Sequence, residues 1–272
     1  MNTPENTYQA PHRDGQGRRI LRLDTTERPL AAAAARRRRD AGGVRVGPRD
    51  TAGMNWTAEQ QSMRLDQLAA IFTAIDQRHV SNDAARKTIS RWVDQGWAES
   101  RVLLQGQPAF VWLTTAGMRL TGYDYPAGEP ALGTLTHTAI TTDIRLWLLA
   151  RYPNGWWRSE RAMRSLLPRR TRDTPVAHLP DGEYHARNGA IVAIENELTP
   201  KTIERTRRIM LGLLSRKYDY DQQHDIGTGD TPRYKSIWYF TAPAAHNVVQ
   251  AARDTLPEDY TGRLVIHEWP HA

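Results

Sequence analysis

The segment GAIVAIENEL, at residues 189–198, restricts the fold more than any other feature of the chain. Alternate side chains of an extended strand point to opposite faces of a sheet. Both faces are apolar where this segment begins, whereas Glu195 and Glu197 make one face acidic where it ends. The pattern therefore predicts a buried strand that carries two neighbouring carboxylates at its end.

Length and composition exclude several classes of protein. The 272 residues are enough for one large domain or two small ones. The absence of cysteine excludes a disulfide framework and a thiolate metal site. No apolar run approaches the roughly 18 residues of a membrane helix, and the N-terminus has no hydrophobic signal region. We therefore expect a cytoplasmic protein with no membrane partner.

The basic charge is concentrated in the N-terminal tail. Residues 1–55 contain 11 arginines and 6 acidic residues, which gives +5 of the net charge of +7. Residues 1–54 are rich in Gly, Pro, Thr and Arg and have no sustained apolar period, so we expect a disordered tail. Its basic run could neutralise DNA phosphates without reading bases, through Arg36, Arg37, Arg38 and Arg39. A tail that only increases solubility is an equally good interpretation.

Residues 55–125 have the pattern of a helix, a turn, a second helix and a β-hairpin. The first helix is predicted by an apolar stripe, formed by Leu65, Leu68, Phe72 and Ile75. The second begins at a Ser81 or Asn82 cap and ends at Gly96. Two short strands are predicted in residues 101–114, around Gln105-Gly106. This order resembles the winged-helix family, in which the second helix of the turn enters the DNA major groove.

The winged-helix resemblance implies a DNA contact by the polar face of the second helix. That face carries Arg86, Lys87, Ser90 and Arg91. Because residues 55–125 contain 7 basic and 7 acidic residues, a winged domain used for dimerisation stays an alternative. A homodimer is compatible with either interpretation.

Residues 126–272 alternate between helical and strand patterns after a Gly/Pro-rich linker at 122–133. The predicted order, α-β-β-β-α-β-α-β, indicates one mixed sheet with helices packed on it, and so an α/β (α+β) fold. GWWRSERAM, which contains Glu160, is predicted as a strand, and a helix is expected to begin at Pro200. Neither GxGxxG nor GxxxxGK[ST] occurs, which argues against a doubly wound cofactor fold.

A second acidic segment is expected beside the end of the buried strand. A hairpin turn at Asn188-Gly189 would bring Asp181 opposite Glu195 and Glu197. Three close carboxylates repel one another unless protons or a cation neutralise them. With oxygen ligands alone, the suitable ion is Mg²⁺ or Mn²⁺. Such an ion at a phosphodiester polarises the phosphoryl group and lowers the pKa of a bound water.

Pro180-Asp181, followed by Glu195 to Glu197, resembles the PD-(D/E)XK nuclease superfamily. The resemblance implies that Asp181 and Glu195 bind the metal, and that Glu160 assists. The third motif position, usually lysine, is Glu197, which would be a further metal ligand. Lys201 could then reach back from the next helix to orient the attacking water or to neutralise the phosphate.

A winged helix followed by a core with HLPDG and AIENELTPK also resembles the replication-relaxation proteins of actinobacterial plasmids and mobile elements. The resemblance covers residues 55–269. It implies DNA transactions more directly than it implies cleavage. Together with the acidic motif, it leads to our first hypothesis, a DNA endonuclease or nickase that depends on Mg²⁺ or Mn²⁺ and acts in plasmid or mobile-element replication or transfer. The alternative is an inactive DNA-binding replication, transfer or regulatory factor that uses the nuclease-like core as a scaffold.

Several blander interpretations compete with the metal site. The three carboxylates could pair with basic residues, which are plentiful at Arg158, Arg161, Arg164, Arg169, Arg170 and Arg172. Tyr218 and Tyr220 suggest a tyrosine nickase, but such enzymes generally present two histidines on one strand, and the chain has no His-x-His pair. His178 and His185 flank Asp181 and are either structural or, for His185, in contact with the site.

Overall fold

The computed structural model describes residues 45–167, 178–217 and 232–268, which form a mixed α/β protein with helices and two sheets. In these three ranges, no helix combines the length and the apolarity that crossing a membrane requires. The predicted tail up to 44, with Arg36 to Arg39, lies outside the described residues. So do Arg169, Arg170, Arg172, Tyr218 and Tyr220.

The N-terminal part combines helices with a small antiparallel sheet. Its helices are α1 (Pro48–Gln60), α2 (Leu65–Asp76), α3 (Asn82–Asp94) and α4 (Thr115–Thr121). Its strands are β1 (Met63–Arg64), β2 (Ala98–Arg101) and β3 (Phe110–Leu113). They form a three-stranded sheet in the order β1-β3-β2, and both pairs are antiparallel.

The predicted helices of this part are confirmed. The apolar stripe of α2 is buried, with Leu68 and Phe72 both 0% exposed. Ser81 caps α3, since its hydroxyl accepts a hydrogen bond from the Ala84 amide at 3.2 Å. Gly96 follows α3 with a φ of 68°, a conformation that glycine adopts without a steric penalty.

The C-terminal part is built around a five-stranded sheet. Its helices are α5 (Leu132–Arg151), α6 (Glu160–Leu166), α7 (Ile203–Leu214), α8 (Pro243–Asp254) and α9 (Glu258–Thr261). Its strands are β4 (Trp156–Ser159), β5 (Gly182–His185), β6 (Ile191–Glu197), β7 (Ser236–Thr241) and β8 (Leu264–Glu268). The sheet order is β4-β5-β6-β7-β8. The first two pairings are antiparallel and the last two are parallel.

The central strand β6 is covered on both faces, as its sequence predicts. Ile194 belongs to a core that also contains Leu148 of α5, Phe240 of β7 and Met54 of α1. Ala193 points to the other face, in a separate core with residues of α7 and α8. The first of these cores is therefore continuous from the N-terminal helices to the larger sheet.

Polar contacts reinforce the junction between α2 and α5. The Gln67 side-chain amide donates hydrogen bonds to the Ala139 carbonyl and to Asp143 Oδ1, both at 2.7 Å. Arg64 Nη2 also reaches Asp143 Oδ1, at 3.2 Å. Gln67 is 1% exposed, so these hydrogen bonds lie inside the packed junction.

Four sequence predictions need correction. Helix α1 begins at Pro48, so the predicted tail boundary at 54 lies inside a helix. Residues 160–166 form helix α6 rather than a strand, because the Ser159 hydroxyl caps that helix. Helix α7 is capped by Thr202, and Pro200 precedes it. Strand β2 ends at Arg101, where the first hairpin strand was expected to begin.

Candidate active site

The antiparallel pairing of β5 with β6 brings the predicted carboxylates to one end of the large sheet. Gly182 lies opposite Ile194, so Asp181, just before β5, stands beside the end of β6. Asp181 Oδ2 accepts a hydrogen bond from the Asn196 amide at 2.7 Å. The charge of Asp181 also raises the pKa of Glu195.

Each of the three carboxylates has its own basic partner. His137 Nε2 lies 2.8 Å from Asp181 Oδ1, and His178 Nε2 lies 2.9 Å from Glu195 Oε1. The Lys201 ammonium contacts Glu197 Oε2. The partners come from α5, from the segment before β5 and from the segment before α7, so three parts of the chain meet at this end of β6.

Burial and neighbouring charges shift the pKa values of Glu195 and His178. Glu195 is 4% exposed. Loss of hydration and the charge of Asp181 raise its pKa to about 7, against the opposing effects of His178 and Lys201. Burial lowers the pKa of His178, but the hydrogen bond and charge of Glu195 outweigh it, so this pKa is raised. At neutral pH the buried carboxyl is therefore poised between its protonated and ionised forms.

A tyrosine lies directly beside Glu195. In the parallel pairing of β6 with β7, Glu195 is opposite Tyr239 and Glu197 is opposite Thr241. Tyr239 is 1% exposed, and its hydroxyl has no hydrogen-bond partner among the described residues. Burial and the charges of Glu195, Glu197 and Asp181 raise its pKa well above the usual value, so this hydroxyl keeps its proton.

Glu160 lies at the start of α6. Within the described ranges, it makes no hydrogen bond to Asp181, Glu195 or Glu197. It opens α6 directly after β4, and its carboxylate contacts the Arg164 guanidinium. The pKa of His137 is lowered by burial but raised overall by Asp181, Glu195 and Glu160 in turn. Glu160 is therefore within electrostatic range of the cluster, as an assisting acid would need to be.

The donor chemistry of the cluster fits a hard divalent cation. Carboxylate oxygens are the ligands that Mg²⁺ and Mn²⁺ prefer, and Asp181, Glu195 and Glu197 provide them at one place. In residues 45–167, 178–217 and 232–268, no group of three or more His, Asp or Glu side chains is already positioned to bind a metal ion. A cation would have to displace the contacts of His137, His178 and Lys201.

A different buried ion cluster lies on the same sheet, centred on Glu183. Arg233 donates to both carboxylate oxygens, at 2.9 and 2.8 Å, and the Tyr234 hydroxyl donates to Oε1 at 2.8 Å. His185 Nε2 lies 2.9 Å from Oε2, so His185 serves this cluster. Burial raises the pKa of Glu183, but His185, Arg233 and Arg158 lower it to about 2. The cluster is a closed structural network.

No match was found for this chain among family models, curated proteins or solved structures. The resemblances drawn from Pro180-Asp181 and from Glu195 to Glu197 therefore stay predictions. The site must be judged from its geometry and chemistry alone.

The predicted DNA-contact face of α3 is only partly free. Arg86, Lys87 and Ser90 are exposed and line one surface groove. The Arg86 guanidinium contacts Asp83. The Arg91 guanidinium contacts the buried Asp50, which also accepts a hydrogen bond from Trp92 Nε1 at 2.8 Å. Arg91 therefore joins α3 to α1, while Lys87 and Ser90 remain the accessible polar groups.

The predicted arginine cluster before β5 is largely structural where it is described. Arg158 reaches Glu183 Oε2 at 3.6 Å. Arg161 donates to the carbonyls of Ala58 and Pro126, at 2.5 and 2.6 Å, and so joins α6 to the N-terminal part. Trp157, 2% exposed, is a core residue.

Sequence reasoning missed His137, Tyr239 and the role of His178. His137 lies 44 residues before its partner Asp181, on a helix whose pattern gave no sign of the pairing. Tyr239 sits within an apolar strand segment, where a tyrosine is normally a core residue. His178 was identified only as a neighbour of Asp181. The sheet register places Tyr239 beside Glu195, whereas the two histidines are placed by the packing of α5 and by the segment before β5.

Proposed function

We propose that the chain is a DNA-binding protein whose larger sheet carries a divalent-metal-dependent DNA endonuclease or nickase, acting in plasmid or mobile-element replication or transfer. The observation that carries this proposal is that Asp181, Glu195 and Glu197 lie at the same end of the sheet, where β6 ends, with the Lys201 ammonium in contact with Glu197. Carboxylates at the end of a buried strand, beside a lysine, suit a site that binds a cation and a phosphate once their present basic partners are displaced.

The topology gives the proposal a second line of support. Helix α5 precedes β4, β5 and β6, which pair antiparallel, and α7 then leads to β7, which pairs parallel with β6. Apart from the short helix α6, this is the order of the PD-(D/E)XK core that the motif predicts. In the N-terminal part, α2, α3 and the β2-β3 pair follow the order of a winged helix.

The proposed nuclease would use its site residues in three roles. Asp181, Glu195 and Glu197 would hold Mg²⁺ or Mn²⁺, which polarises the phosphoryl group and lowers the pKa of water when bound. The Lys201 ammonium, released from Glu197, would neutralise the phosphate or orient the attacking water. Glu160 would assist from the start of α6.

A cleavage assay tests the proposal. Supercoiled plasmid incubated with the protein and Mg²⁺ or Mn²⁺ should be nicked or cut, and EDTA should stop the reaction. Asp181→Ala should abolish cleavage, because it removes a proposed metal ligand without changing α3. Asp259→Ala, at an exposed position on α9, is the matched control and should cleave like the wild type. Absence of metal-dependent cleavage by the wild type would refute the nuclease.

The DNA contact should be measurable apart from cleavage. We expect Lys87→Gln to weaken binding of a labelled duplex across sequences, because Lys87 is exposed in the α3 groove. Loss of one phosphate contact should reduce the slope of log affinity against log salt concentration by about 0.9. Fluorescence anisotropy at several salt concentrations would measure both effects.

Lys235→Gln removes the same charge from an exposed position next to β7 and serves as the control. Equal salt slopes for the two variants would argue against α3 as the DNA-binding helix.

One observation favours an inactive DNA-binding factor as the second candidate. Each carboxylate already has a basic partner, so the cluster is neutralised without a cation. In that case the larger sheet would be a scaffold or a homodimer interface. The wild type and Asp181→Ala would then bind DNA equally and cleave none.

A further inference from the structure

Tyr239 has a buried hydroxyl group that the packing of the protein does not explain. The residue is 1% exposed, and its oxygen has no hydrogen-bond partner among the described residues. Buried polar groups in folded proteins almost always have partners. Other buried tyrosines of this sheet follow the rule, since Tyr184 donates to the Tyr152 carbonyl at 2.9 Å and Tyr234 donates to Glu183 at 2.8 Å.

The sheet register brings Tyr239 to the carboxylate cluster. Tyr239 is the direct cross-strand neighbour of Glu195 on β7. The charges of Glu195, Glu197 and Asp181 all act on its hydroxyl, after the larger effect of burial. A tyrosine hydroxyl has a proton that it can donate to a carboxylate or to a water molecule beside one.

A second buried hydroxyl belongs to α7, the helix that packs in the same core as Tyr239. Thr206 is 1% exposed, and its Oγ1 also has no partner within the described ranges. It lies one turn before Met210 on the buried face of α7, toward the end of that helix that follows Glu197 and Lys201. The face of the sheet that carries Glu195 therefore has two buried hydroxyls whose hydrogen-bonding capacity the described residues leave unused.

We propose that Tyr239 is a positioning residue of the cation site, and that its hydroxyl donates a hydrogen bond to a water molecule held by the bound cation. The proposal rests on the proposed function, because it needs a divalent ion at Asp181, Glu195 and Glu197. Hydrogen bonds behind the ligands typically change metal affinity 10–100-fold. A structural tyrosine would have no such effect.

Manganese binding by the full-length protein tests the proposal. Free Mn²⁺ can be followed by electron paramagnetic resonance during titration of the wild type, Tyr239→Phe and Tyr184→Phe. We expect Tyr239→Phe to bind Mn²⁺ about 10-fold more weakly, and to unfold at the same or a higher urea concentration, because a hydroxyl without a partner is removed.

Tyr184→Phe is the matched control, and the opposite pattern is expected for it. The Tyr184 hydroxyl donates to the Tyr152 carbonyl on the face of the sheet opposite α7. Loss of this hydrogen bond should lower the urea concentration at the unfolding midpoint and leave the Mn²⁺ affinity unchanged.

The possible outcomes separate the two proposals. Equal Mn²⁺ affinity of Tyr239→Phe and the wild type would overturn the role of Tyr239 and leave the nuclease proposal standing. Failure of Tyr239→Phe to fold would also overturn it, because the hydroxyl would then be structural. No Mn²⁺ binding by the wild type would overturn both this role and the metal-dependent function.

Discussion

Replacing Glu183 with alanine should lower the free energy of unfolding by about 3–5 kcal/mol. The Glu183 and Arg233 side chains are both 0% exposed, and they form a bidentate ion pair with two hydrogen bonds. Without the carboxylate, the buried Arg233 guanidinium would lose the anion that accepts its two hydrogen bonds, and the Tyr234 hydroxyl would lose its bond to Glu183. Urea denaturation at pH 7 would measure the change.

Glu258→Ala, at an exposed position on α9, should change the free energy of unfolding by less than about 0.5 kcal/mol. A loss below about 1 kcal/mol for Glu183→Ala would mean that the ion cluster is not a structural anchor.

The same carboxylate sets an acid limit to stability. The pKa of Glu183 is about 2 in the folded protein, against a usual value of 4.5. The unfolded chain therefore takes up this proton first as the pH falls, so the stabilisation is complete above about pH 4.5 and is lost toward pH 2. The wild type should consequently lose more stability than Glu183→Ala over this interval.

Glu195→Gln should stabilise the protein at pH 8 and remove its response to divalent cations. Because burial and Asp181 raise the pKa of Glu195 to about 7, the folded state holds a proton that the unfolded chain releases near its usual 4.5. Stability therefore falls as the pH rises from about 4.5 to 7, and stays reduced above that. Glutamine has no charge to bury, so up to about 3 kcal/mol should be recovered.

Thermal unfolding at pH 5 and pH 8, with and without Mg²⁺, would measure both effects. Mg²⁺ at 100 times its dissociation constant should stabilise the wild type by about 2.7 kcal/mol and should leave Glu195→Gln unchanged. If Glu195→Gln is less stable than the wild type at pH 8, then Glu195 is part of a structural ion pair with His178. The inactive-scaffold alternative would then be favoured.

Short sequence patterns predicted the strands, turns and helices that are determined by residues close together in the chain. The period of two in GAIVAIENEL predicted a strand covered on both faces, and the turn at Asn188-Gly189 predicted its antiparallel neighbour. Because the turn sets the register, it also predicted that Asp181 would lie beside Glu195. The apolar stripe of α2 and the Ser81 cap were sufficient for the helices that they predicted.

Contacts over long sequence distances could not be predicted in this way. Pro48 begins a helix in a segment without an apolar stripe, because Asp50 is held by Arg91 and Trp92 from α3. His137 reaches Asp181 only because α5 packs on the sheet, and Tyr239 meets Glu195 only through a parallel pairing. Such partners depend on the assembled fold, and a single sequence does not encode them as a visible pattern.

The continuous core from α1 to β7, with the Gln67 hydrogen bonds at the α2–α5 junction, has a geometric consequence for DNA. A nuclease whose DNA-binding domain and cleavage site are joined by a flexible linker would cut DNA over a range of positions. Here α3 and the strand that carries Glu195 and Glu197 both contribute residues to one continuous core. If α3 binds DNA and the carboxylate cluster cleaves it, as we propose, the breaks should fall at one constant offset, in base pairs, from the sequence that α3 contacts.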